Sequence, residues 1–268
     1  MWMKFYWISV VIFLFPFFLI AQNSELVLDT RVSAIATMIE VDNVGNVFLL
    51  NNGGVKKYNL QGNFQQKNSA MVYGEIASLD ASNALKMVMY FRDLSQITYL
   101  DNQLASRGEN VALDELGYVQ TTQVCRSYND GLWLYDQVSF ELTRLNEQLE
   151  VTAQSGNLNQ ILNIMPEMSY MREVDRWLYV ADVEGVFVFD WYGSYQKIIP
   201  IPDISKFVIR SNRLFYLKEN KLKYYHLKTL EKAEILLKEK GVIDFALFGD
   251  RLLLITQNEL VIYRINVN

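Results

Sequence analysis

The chain has 268 residues, 51% of them hydrophobic, with 30 acidic against 25 basic side chains and a formal net charge of −5. Scattered charge of this sign disfavours DNA, RNA or an anionic membrane surface as a partner, because those demand a concentrated basic face. With one cysteine, Cys125, and one histidine, His226, the chain can form no internal disulfide, and a catalytic centre needing two of either residue is excluded.

Met1 to Ala21 carries Lys4, an apolar stretch from Phe5 to Ile20 broken only by Ser9 and Pro16, and a small residue at its end, before polar Gln22, Asn23 and Ser24. This order of features predicts a secretory signal cleaved after Ala21; the rival is an uncleaved anchor. No cysteine stands there to accept a lipid. Residues 22–268 are then expected to form one domain, with no direct membrane insertion, since no Pro/Gly/Ser-rich linker divides them.

A short strand, Leu26 to Asp29, comes first and has no partner close in sequence. From about Ile35 the chain repeats. In the first unit a strand at 35–41 is followed by a turn at Asp42 to Asn46, an apolar strand at 47–50, the hairpin signal Asn51-Asn-Gly-Gly54, a strand from Val55, and a turn at Gln61 to Asn63 into a fourth strand. The third strand of each unit carries an apolar anchor, three residues on an aromatic or Leu, and usually Asn or Asp: Val55 to Asn59, Ile97 to Asp101, Leu142 to Asn146, Val186 to Asp190, Leu222 to His226 and Leu260 to Arg264. The anchors recur about every 40 residues, the spacing of four-stranded propeller blades. The second unit is expected to end near Glu109, and units five and six are leaner.

The second strands, headed by Val47, Met87, Leu132, Trp177, Leu214 and Leu252, read as apolar on both faces, as they should when sheets cover both sides. The sixth unit lacks a fourth strand, so Leu26 to Asp29 is predicted to complete it and close the ring. The fold class is therefore all-β, a six-bladed β-propeller of four-stranded antiparallel blades.

On this period and strand pattern, from about residue 24 onward, the chain resembles six-bladed propellers of exported bacterial envelope proteins. The Gly-His and Trp-Asp pairs of WD40 propellers and the repeated Gly-Gly of kelch are absent. The Asn-rich character and the Ala21-Gln22 junction look like an envelope protein of the Bacteroidetes, where such propellers occur beside outer-membrane pores, including the type IX secretion translocon. The resemblance implies a periplasmic or outer-membrane-associated binding subunit whose partner is another envelope protein, such as an outer-membrane β-barrel complex.

Propeller enzymes of the gluconolactonase type gather Glu, Asp, Asn and often His around a metal in the central channel. His226 instead fills a position where other units place Asn or Asp, and reads as a turn residue; Ser-His-Asp and Cys-His schemes would both need it. Asp182-x-Glu184-Gly185 resembles a Ca²⁺ loop but lacks the further oxygen ligands such loops use, and reads as a hairpin turn. No catalytic, metal or cofactor residue is assigned, and Cys125 reads as a small buried residue. Lys218 to Lys240 alternates with Glu219, Glu231, Glu234 and Glu239, as a solvated blade edge would.

Two loops carry unusual apolar material: Leu158 to Met165, with Ile161, Leu162 and Met165, and Asp190 to Tyr195, with Trp191, Tyr192 and Tyr195. They either cap the core or form partner-binding surfaces, and chain topology puts them on opposite faces. Three functions follow: a non-catalytic assembly subunit, a carboxylate- or metal-dependent hydrolase or lyase, and a carbohydrate-binding propeller stacking sugars on Trp191 and Tyr192.

Overall fold

The computed structural model describes residues 25–69 and 74–266; the expected signal at 1–21 lies outside them. The described strands form six four-stranded sheets, each antiparallel throughout. Blade one spans residues 38–68, two 78–112, three 121–154, four 170–199, five 207–236 and six 244–266, the last completed by Glu25–Ser33. Among the described residues no helix is long and apolar enough to cross a membrane.

The N-terminal strand Glu25–Ser33 pairs antiparallel with Glu259–Asn266, running from Leu26 opposite Ile265 to Ser33 opposite Glu259 with one bulge after Leu28. Leu26 is buried at 3% exposure against Tyr263 and Phe245. The joint is also packed from outside, because the tip of blade one's last turn lies on it. A Cβ at Gly62, whose φ is +78°, would meet Val32 Cγ2 at 2.4 Å, so only glycine brings the turn this close.

The core lies between blades. Second strands Val47–Asn51, Met87–Phe91 and Leu132–Asp136 are buried almost throughout, as the run of apolar residues predicts. Blade five departs from that expectation. Its second strand Arg213–Lys218 alternates, with Leu214 and Tyr216 buried and Phe215 and Leu217 only partly covered. Blade two differs as well. Its outer strand is the pair Val111–Ala112, beyond the expected end near Glu109, because a turn from Asp101 and an isolated bridge between Leu100 and Ser106 take up the intervening chain.

The repeated Asn or Asp makes the last turn of blades one to four. Asn59 Oδ1 accepts the N–H groups of Gln61 and Asn63, Asp101 those of Gln103 and Ala105, Asn146 those of Gln148 and Glu150, and Asp190 those of Tyr192 and Ser194. A short acceptor side chain thus replaces the missing strand partners at the tip. In blade five His226 Nδ1 takes the same place, accepting from Thr229 N at 3.0 Å and Lys228 N at 3.3 Å.

Removing residues 25–33 is expected to lower the melting temperature by roughly 10 °C, since it uncovers an edge and the face of Tyr263; an unchanged thermal transition would refute closure by this strand. His226→Asn should melt like the parent and His226→Ala should lose about 1 kcal/mol, read by urea denaturation.

Candidate functional site

The inner strands of the ring carry charge where a propeller enzyme would hold its metal. Glu40 lies on the first strand of blade one, Asp80 on that of blade two, Arg172 on that of blade four and Asp244 on that of blade six, while Lys206 immediately precedes that of blade five. Their side chains are only 5–14% exposed. Arg172 Nη1 donates to Asp80 Oδ1 at 2.5 Å and its Nη2 to Glu40 Oε2 at 2.9 Å. Lys206 Nζ reaches Glu40 Oε1 and Asp244 Oδ2, both at 3.0 Å, and donates to the carbonyl of Ile39 at 2.5 Å. Blade three joins through Arg126 N, which donates to Asp80 Oδ2 at 2.9 Å. The network therefore ties all six blades at the axis.

Its groups titrate in different directions for identifiable reasons. Burial pushes the Asp80 carboxyl up, but Arg172 and the N–H groups of Ser82 and Arg126 outweigh it and hold Asp80 below the usual carboxylate range. Asp244 stays above that range, because burial is offset only in part by Lys206, which it shares with Glu40. Burial lowers Lys206, yet Asp244 and Glu40 more than reverse this and its ammonium is held firmly. Burial likewise raises the Tyr170 phenol, whose oxygen accepts from Arg172 Nη2 at 2.7 Å. Each axial carboxylate is thus engaged by a cation of the chain itself. Among the described residues no three of His, Cys, Asp or Glu gather as a metal site.

The Asp182 loop behaves as a turn. Its Oδ1 accepts from Glu184 N and its Oδ2 from Glu167 N, which fixes the incoming connection to the hairpin. Cys125 is buried at 1% exposure, and burial raises its thiol well above the ordinary value.

The two apolar loops divide between core and surface. Leu158–Leu162 is a five-residue helix capped by Asn157, whose side chain accepts from Gln160 N. Leu158 is fully buried and Leu162 packs partly beneath, while Ile161 is 49% and Met165 62% exposed. In the other loop Tyr192 is 70% exposed, and Tyr195 sets its edge against Phe187 and Phe189 with centroids 6.0 and 5.9 Å away. Trp191 is half-buried, with the Arg144 guanidinium 3.6 Å from its ring centroid, Arg176 at 5.3 Å and Tyr128 at 5.7 Å. It is consequently no free stacking platform.

The loops leave opposite ends of their strands, yet both reach the seam between blades three and four. A Cβ on Gly193 would stand 3.0 Å from Gln154 C and Ser155 N, just ahead of the helix. Glycine with φ +83° permits this contact, which sequence spacing cannot show. Sequence reasoning also missed the axial network, although Glu40, Asp80 and Asp244, each the one charge of its first strand, were its signal.

No family model matches the chain, and no curated protein matches it. Solved structures do. Virginiamycin B lyase of Staphylococcus aureus is similar over 90% of this chain and 99% of its own, at 10% identity and TM-score 0.64. PorZ, a surface component of the type-IX secretion system of Porphyromonas gingivalis, matches over 89% of this chain and 39% of its own, at 12% identity and TM-score 0.57. BamB of Moraxella catarrhalis matches over 90% of this chain and 100% of its own, at 10% identity and TM-score 0.54. At these identities the likeness establishes the propeller fold alone, and a fold does not by itself fix a function.

Asp80→Asn isolates the charge at the axis. A carboxyl held below its ordinary value contributes stability above about pH 4 that is lost as pH falls through the folded-state value. The variant should be about 3 kcal/mol less stable at pH 7, with the gap to the parent narrowing below about pH 4. A gap independent of pH, measured by urea denaturation at both values, would refute it.

Proposed function

We propose that this protein is an exported, non-catalytic binding or assembly subunit that docks on another protein of the cell envelope, such as an outer-membrane secretion pore. The observation that carries the reading is exposed apolar side chains on two loops whose backbones approach at the seam of blades three and four. Ile161, Met165 and Tyr192 are 49%, 62% and 70% exposed there, with Leu158, Leu162 and Ile164 packed into the core beside the first two. Exposed apolar surface is the feature that protein interfaces use. Its neighbours in fold include PorZ and BamB, which fits a place in the envelope.

Two features weigh against the lyase reading. The axial carboxylates are bound by Arg172 and Lys206. A histidine-to-alanine change leaves the staphylococcal lyase catalytically inactive, whereas the one histidine here, His226, has its Nδ1 committed to the backbone of a turn. The carbohydrate reading keeps only Tyr192, because Arg144 lies over Trp191.

A photo-crosslinking amino acid at Met165 or Tyr192, in cells bearing the intact envelope, should give one defined adduct of high mass. Ile161→Asp combined with Tyr192→Ala should abolish its co-purification without changing the melting temperature. Absence of any adduct, or co-purification untouched by the double variant, would refute docking at this seam.

A further inference from the structure

The alternating burial of blade five has a physical consequence on the face that carries the turns between first and second strands. Because Phe215 is left partly uncovered, the seam between blades five and six opens into a cleft of about 510 Å³. Its apolar wall is formed by Phe215, Ile235, Leu247 and Ile265, and its rim by Arg210 and Arg213. A second cleft of about 590 Å³ lies at the seam of blades four and five, with Trp177, Ile209 and Leu227 inside and Lys197 and Lys228 beside them. Arg210 and Ser211 line both, so the two form one arc across half the ring.

Charge along this arc runs against the protein as a whole. Among the described residues Lys197, Arg210, Arg213 and Lys228 take part in no ion pair, and only Asp175 and Asp250 supply carboxylates to the two linings. In a chain of net charge −5, four unneutralised cations on one arc are a local reversal. Arg213 is the most telling. It lines the cleft with its guanidinium 5.1 Å from the ring centroid of Tyr224, and its Nε is buried with no hydrogen-bond partner.

We infer that this arc is a docking groove for an extended acidic segment of a partner protein, which seats an aliphatic or aromatic side chain in the cleft between blades five and six and sets carboxylates on Arg213 and Arg210. Apolar burial supplies the anchor, and arginine supplies directional recognition of carboxylate. A basic segment would face four cations, and a purely polar one would leave Phe215 and Leu247 wet. The inference rests on the reading of the protein as a binding subunit, but on a surface separate from the loops of Ile161 and Tyr192.

The test uses the folded chain and three fluorescent synthetic dodecapeptides. The first alternates leucine with Asp-Glu pairs, the second replaces the acids by lysine, and the third replaces leucine by serine. The first should bind, with affinity falling as salt rises from about 50 to 300 mM, and each control should bind about tenfold more weakly or worse. Arg213→Glu and, as the milder variant, Arg210→Gln should each weaken it by about tenfold at unchanged melting temperature. Lys67→Glu, a charge reversal on blade one, should not. No binding of the first peptide, equal binding of the lysine peptide, or indifference to both arginine variants would overturn the inference. Envelope adducts at Tyr192 without peptide binding would remove this groove and leave the binding-subunit reading standing, while the reverse pattern would remove the loop surface alone.

Discussion

A ring of six sheets holds only if its first and last blades are joined, and here one strand does that work. Glu25–Ser33 fills the empty edge of blade six, so the first and last described strands become neighbours in a single sheet. The pairing closes a loop of more than two hundred residues, whose entropy is recovered only when every blade between is in place. An unfilled edge would present an unpaired ladder to solvent and to other chains. The turn at Gly62 against Val32 and Thr30 then ties blade one to the joint.

Closure at the rim leaves a problem at the axis, where six first strands converge and little room remains. The chain puts charges there. Three carboxylates face two cations, which would be costly if any were left alone and is tolerable because each is shared. Arg172 spans blades four, two and one, and Lys206 spans five, one and six. Such bonds add little net stability over apolar packing, but they fix which strands face each other at what height. Each axial carboxylate is thereby engaged by a cation of the chain itself.

The outer surface is uneven because the blades are uneven. Blade four is buried on both faces in its second and third strands, and Ile161, Met165 and Tyr192 are exposed on the loops beside its seam with blade three. Blade five is thin, its seams are open, and its rim cations lack partners. Exposed loop side chains and an apolar cleft are two ways in which a closed scaffold presents apolar surface.

The sequence by itself determined the blades, their count and their turns, since period-two and fully apolar strands, Asn or Asp at fixed offsets and the spare strand at Leu26 are all local patterns. His226 as a turn residue was legible for the same reason, because its place in the repeat says what the backbone needs there. Only the tertiary structure decided what meets across the ring. Glu40 and Lys206 are separated by four blades in sequence and by 3.0 Å in space, and Gly193 of blade four lies against Gln154 of blade three. Nor could apolar content alone tell that Phe215 would stand at an open cleft while Met89 is sealed, for burial depends on the facing sheet, and the facing sheet is set by closure.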